Sequence, residues 1–274
     1  DYCTSAINFL RAIESGVPKV EQMVRSKTTG DVVEALRFFT RAVNFSIQGS
    51  AKSLRSTFSL IWHHEENIRL ECLSSFRMVF LTDGACSGDA KNLSPNEVGE
   101  NIVALCKRCG PSELTSVEKI IGEIFLKGQI DDSVIACLWE SASSVVQKQR
   151  DSSSPSSKSK TKSRSEANDD LGFIIQVLAM VCKFQPTLIT PSKLQFIIQN
   201  GLGCFAIENS DYLAMKCSAQ MLQCVSAYIP AKGTPPSEIM KTAMLSAVPY
   251  LCSIIQAKCV NLNADTIADD EKEV

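Results

Sequence analysis

Apolar residues along this chain recur every three or four positions, the period at which side chains line one face of an α-helix. Val32, Leu36, Phe39 and Val43 form one such stripe, and Val117, Ile120, Ile121, Ile124 and Phe125 form another. Ile174, Val177, Leu178 and Val181 make a third, and Met244, Val248, Leu251, Cys252 and Ile255 a fourth. No stretch alternates apolar and polar residues as a half-buried strand would, so the pattern predicts an all-α fold. Helices are expected over 4–14, 18–26, 31–46, 50–62, 66–81, 95–108, 114–127, 131–145, 170–184, 191–200, 210–227 and 236–257.

Start and stop chemistry agrees with this division. Ser94-Pro95 and Thr190-Pro191 each put a capping hydroxyl before a proline at the first helical position. Asp31 is expected to cap the helix that begins at Val32. Gly110-Pro111 ends the helix carrying Cys106 and Cys109, and Gly128 ends the next. The connections are short, so consecutive helices double back and pairs stack on pairs. The stretch from Asp31 to the Glu66-Asn67 cap fits the spacing of HEAT helix pairs, about 40 residues. Ile68-Arg69 with Cys72 and Phe76, and Met215-Lys216 with Ala219 and Leu222, share a pattern of apolar, basic, small and large apolar residues. The small residue would let a paired helix approach, and the base would lie on the edge facing the next repeat. The fold class implied is a HEAT/armadillo-type α-solenoid of antiparallel helix pairs.

One segment breaks the pattern. Residues 147–166, QKQRDSSSPSSKSKTKSRSE, hold no large apolar side chain. Nothing there offsets the entropy of ordering, so a disordered basic insert is expected over 147–168. It separates helical repeats at 1–146 from further repeats at 169–260, and an acidic flexible tail follows at 261–274. Lys148, Arg150, Lys158, Lys160, Lys162 and Arg164 are candidate DNA-binding residues. Cations on a flexible tether reach phosphates without reading bases, so binding would be nonspecific and weakened by salt. The insert has no aromatic residue on which single-stranded bases would stack. An inert, solvated linker is the competing reading. Ser154, before Pro155 and near Lys158, resembles a proline-directed phosphorylation target, and each phosphate would add about -1.5 to -2 charges.

Composition narrows the function classes. The chain has 274 residues, 45% of them apolar and 21% charged, which suffices for a sizeable core. Its net charge of -2 gives no overall attraction to nucleic acid or membrane, so any such binding must be local. No apolar run reaches the roughly 18 to 20 residues that span a bilayer. No signal peptide opens the sequence, and a soluble intracellular protein is expected. The start at Asp1, with helical text from position 2, reads as a piece of a longer chain.

The twelve cysteines are scattered among apolar residues, as in a reduced compartment. Cys106 and Cys109 form the only CxxC, and His63 and His64 are the only histidines. Adjacent helical residues point apart, so the two histidines are not expected to share a metal. The CxxC precedes a helix end, where the dipole disfavours a thiolate. His63, His64, Glu65 and Glu66 read as the end of one helix and the start of the next. No phosphate loop, nucleophile elbow or kinase signature occurs. No catalytic residue, cofactor, metal or small-molecule substrate is expected, and no membrane partner.

Three segments carry a resemblance. SKTTGDVVEALRFFTRAVNFS at 26–46, IRLECLSSFRMVFL at 68–81 and SVEKIIGEIFLKGQIDDSVIACLWESA at 116–142 resemble, in order and spacing, the HEAT-repeat D-type non-SMC subunits of condensin. The resemblance covers residues 5–145 and, more loosely, the later helices; the basic insert is richer in Ser and Lys than the family's connection. It implies a non-catalytic scaffold of the ring-shaped complex that compacts mitotic chromosomes. Such a subunit binds the kleisin and SMC subunits and double-stranded DNA, in the nucleus and on chromosomes, with a cytoplasmic pool. A second reading is a generic HEAT adaptor, such as a nuclear transport receptor or a phosphatase scaffold. The mixed charge of these helices fits a transport receptor poorly. A cysteine-dependent metal or redox protein is the third.

Overall fold

The structure is a computed structural model that describes residues 2–84, 91–152, 162–203, 211–227 and 238–256. Among the described residues there is no strand, and the single β feature is an isolated bridge between Thr82 and Asn92. The fold is all-α, built of stacked helices of the HEAT type, as the periodicity predicts. It divides into two compact units, 1–137 and 138–274.

The first unit contains α1 (Tyr2–Met23), α2 (Thr29–Asn44), α3 (Ser50–Thr57) running into a 3-10 turn (Phe58–Trp62), and α4 (Glu66–Phe80). Then come α5 (Pro95–Arg108), α6 (Pro111–Leu126) and the first turns of α7 (Asp132–Ser152). The helix α2 packs on α4, while the 3-10 turn packs on α6. The second helix of one pair thus meets the second helix of the next, and the first of one pair meets its counterpart. That is repeat stacking, with α5 as an additional helix between α4 and α6. Leu36, Phe39, Phe58, Ile68, Phe76, Ile120, Ile121 and Ile124 are almost wholly excluded from solvent. Phe58, Phe76 and Phe80 form an aromatic cluster with ring centroids 4.9–6.2 Å apart.

The second unit holds the rest of α7, then α8 (Lys162–Phe184), a 3-10 turn (Pro186–Leu188) and α9 (Pro191–Phe196), which passes into a π-helical turn (Ile197–Leu202). It continues with α10 (Tyr212–Ala227), α11 (Glu238–Leu245) and a helical stretch at 248–256. Here α8 packs along α10, and α9 against α11. A Cβ on Gly201 would collide with Ser218 Oγ and stand 3.0 Å from Ser218 Cβ. The close approach therefore falls at Gly201 and Ser218, not at Ala219, which is only half-buried.

Several caps act as the sequence predicts. Ser94 and Glu97 form a reciprocal capping box: Ser94 N donates to Glu97 Oε2 at 2.9 Å, and Glu97 N donates to Ser94 Oγ at 3.4 Å. Thr190 Oγ1 accepts from Lys193 N at 3.5 Å. Gly128, at φ +67, reverses the chain after α6 while Gln129 N donates to Ile124 O at 3.1 Å. Asp31 is different. Helix α2 begins at Thr29, and Asp31 sits in its first turn, accepting from Ser26 Oγ at 2.7 Å. Ser26 Oγ in turn accepts from Thr28 N at 3.1 Å, so the two side chains brace the turn leading into α2, whose N-cap Thr28 makes no side-chain cap hydrogen bond.

Other boundaries also move. Pro18 lies inside a continuous α1, where two helices were expected; its fixed φ is itself helical, and the turns on both sides supply the remaining hydrogen bonds. Gly110 caps α6 from its start, donating its N–H to Glu113 Oε2 at 2.8 Å. The helix expected over 236–257 breaks at turn residues 246 and 247. Its stripe is not a core face: Val248 is 51% and Ile255 62% exposed, and only Ala247 of this stretch is buried among the described residues.

Candidate interaction surfaces

Helices α1 and α2 of the first unit leave a cleft of about 640 Å³ between them. Its walls are chiefly apolar: Phe9, Leu10 and Ile13 from α1 face Phe38 and Ala42 of α2, with Phe45 at the end. Phe9 and Phe45 are each 66% exposed, an unusual placement for phenylalanine in a packed fold. A more polar groove of about 770 Å³ adjoins it along the starts of α2 and α4, sharing Met23, Glu34 and Arg37 with the cleft. Arg37 Nη1 lies 2.8 Å from Glu34 and Nη2 3.3 Å from Glu71. The Glu71 hydrogen bond and charge, followed by those of Glu34, hold this guanidinium above even its ordinary pKa. Arg41 stands at the cleft rim, exposed. None of these residues belongs to the stripe read from the sequence of α2, which is Val32, Leu36, Phe39 and Val43. Periodicity cannot distinguish a covered face from an open one.

The basic segment belongs to the second unit. Helix α7 runs on to Ser152 and α8 opens at Lys162, so its described margins are helical where a disordered insert was expected. Lys, Arg, Gln, Glu and Ala all have good helix propensity, and buried Val146 and Leu171 anchor the two helices. Lys148 is exposed. Arg150 Nη2 donates to Asn200 Oδ1 at 2.9 Å, and the buried Asn200 donates from Nδ2 to Phe196 O at 2.9 Å. Arg150 therefore pins α7 to the π-helical turn after α9. Lys162 and Arg164 begin α8. Lys158, Lys160 and Ser154 lie outside the described residues, as does the acidic tail at 261–274.

The candidate chemistry resolves into structure. Cys106 is buried, and Cys109 is the half-buried C-cap of α5. Burial, with Glu113 adding to it, pushes the Cys109 thiol up to about 11, away from a reactive thiolate. His63 and His64 do not point apart as expected. The chain leaves the helix at His63 (φ -66, ψ 145), so the helical rule lapses and the rings stack with centroids 4.3 Å apart. His63 Nδ1 accepts from Glu65 N at 3.1 Å. Arg69 Nη1 donates to the carbonyls of both His63 and His64 at 2.9 Å, closing the end of the 3-10 turn. That is a structural duty, in keeping with its repeat-like position; Lys216, its counterpart, is exposed. Among the described residues no three potential metal ligands converge. No described helix is long and apolar enough to cross a membrane.

Stacked helix pairs with an open apolar cleft in the first unit define a helical-repeat protein. No family model matches the chain. Curated relatives do: the chain is similar to condensin complex subunit 1 of Xenopus laevis, with 24% identity over 202 residues, 74% of this chain and 13% of that protein. It is similar to the protein of the same name from Schizosaccharomyces pombe, 26% identical over 140 residues, 49% of this chain and 12% of that one. The Mus musculus protein of that name is 25% identical over 145 residues, 53% of this chain and 10% of the relative. The resemblance read from the three sequence segments is thus to condensin complex subunit 1. The chain spans only 10–13% of the length of these relatives.

Proposed function

We propose that this chain is a stretch of a non-catalytic HEAT-repeat scaffold subunit of condensin, acting through its surfaces in mitotic chromosome condensation. The observation that carries the reading is the similarity to condensin complex subunit 1 over three quarters of the chain. The cleft between α1 and α2 supports it: an apolar trough with charged residues along its edge suits a segment that docks a few large side chains and lies along the helices. We assign that place to the kleisin subunit, with the SMC subunits as further partners. Exposed Lys148 and the cations at 158–164 meet double-stranded DNA through phosphates, and Arg150 anchors the helix that carries Lys148. Phosphorylation of Ser154 would offset part of that charge. Such a protein works in the nucleus and on chromosomes.

Titrating fluorescently labelled kleisin segments with the chain tests this. The Phe9→Glu, Leu10→Glu double variant alters exposed cleft residues and should keep its helical circular dichroism. It is expected to bind at least about tenfold more weakly, a loss of ~1.4 kcal/mol. Equal binding by variant and parent would remove the cleft from the proposal. Capture of transport cargo in place of kleisin would favour an adaptor of another kind.

A further inference from the structure

Two cysteines that the scaffold role does not use stand together in the second unit. Helices α8 and α10 pack side by side, and their register can be read at two points. Where α10 begins, beside the middle of α8, a Cβ on Gly172 would lie 3.2 Å from Leu213 Cβ, so the absent side chain lets the helices approach closely. Ten residues further along α8 is Cys182, and eleven further along α10 is Cys224. At 1.5 Å per residue these steps cover about 15 and 16.5 Å, so the helices run parallel and the two thiols arrive at the same level. There Cys224 is the neighbour that meets the Cys182 thiol, as a hydrogen-bonding partner and as a nearby charge. Cys182 is buried and Cys224 half-buried.

We propose that Cys182 and Cys224 are a disulfide-forming pair that, on exposure to a peroxide, covalently staples α8 to α10. The half-buried Cys224 is the sulfur that meets the oxidant. Its thiolate attacks one peroxide oxygen and breaks the O–O bond, giving a sulfenic acid and one water. The Cys182 sulfur then attacks the Cys224 sulfur, the S–O bond breaks, and the displaced hydroxide takes the Cys182 proton as a second water. Two thiols are oxidised by two electrons in total, and one peroxide is reduced to two waters. Burial, together with Cys224 itself, pushes the Cys182 thiol up to about 12. The second step is therefore slow, and the pair responds to sustained oxidant, not to a brief pulse. A thiol reductant reverses the bond.

The test treats the whole folded chain with hydrogen peroxide, alkylates the remaining thiols and maps the peptides by mass spectrometry. The expected result is a peptide linking Cys182 to Cys224, with two of the twelve thiols lost, recovered by dithiothreitol. In Cys182→Ser the bridge disappears and dimedone labels Cys224 as a sulfenic acid. In Cys224→Ser, Cys182 stays a thiol at the same dose. Repeating the treatment in urea should cut the yield of this pairing at least about fivefold, because the register is lost. The proposal is overturned if exposed Cys3 and Cys252 oxidise while Cys182 and Cys224 remain separate thiols. It is equally overturned if Cys224 proceeds to a sulfinic acid without a bridge, or if urea leaves the yield unchanged.

Discussion

Gly128 and Gly201 each resist substitution, for different reasons. Gly128 takes φ +67 with nothing within 4 Å of its missing Cβ, so Gly128→Ala meets only the left-handed backbone penalty, about 1–2 kcal/mol. Gly201 lies against Ser218, and an alanine there overpacks the contact at a cost of about 1–3 kcal/mol. Urea titrations distinguish the two: Ser218→Gly should recover part of the loss in Gly201→Ala and none in Gly128→Ala. Glu97 adds a pH dependence. Hydrogen bonds from the Ser94 side chain and backbone hold its carboxyl below the usual range. Its folded pKa is depressed, so its contribution is complete above the ordinary carboxylate pKa and is lost as pH falls through the folded one. Ser94→Ala should flatten the acid limb of the thermal stability curve; an unchanged limb would mean that the box does not set it.

At the scale of the element, legibility depended on whether the deciding interaction was local. The starts of α5 and α9 could be read because hydroxyl, proline and donor N–H lie within four residues. The stacked histidines could not, because their geometry follows from where the 3-10 turn stops. The continuity of α1 through Pro18 and the extension of α7 to Ser152 were hidden as well, since a proline or a polar run can either end a helix or be carried within one. Where the stripe is packed on both sides, the energetic consequence is firm. Phe76→Ala removes the centre of the Phe58, Phe76 and Phe80 cluster and should cost about 3–5 kcal/mol in chemical unfolding. The basic stretch makes a weaker but separable prediction. Replacing Lys158, Lys160 and Lys162 by Gln should lower duplex affinity at low salt. The slope of log affinity against log salt should become shallower by about 0.9 for each phosphate no longer neutralised. Equal slopes would leave these residues as a solvated linker.

For the whole molecule, periodicity gives the class but not which faces are covered. The stripe at Val117, Ile120, Ile121, Ile124 and Phe125 is core, whereas the equally regular one at Met244, Val248, Leu251, Cys252 and Ile255 is largely open. Phe9, Leu10 and Phe45 belong to the same category as the second, and the binding proposal rests on them. Hydrogen–deuterium exchange of the chain with and without the kleisin subunit measures that proposal most directly. Slowed exchange is expected in Tyr2–Met23 and Thr29–Asn44 when kleisin is present, reversed by Phe9→Glu, Leu10→Glu. Exchange in those two helices that stays the same at saturating kleisin would contradict it.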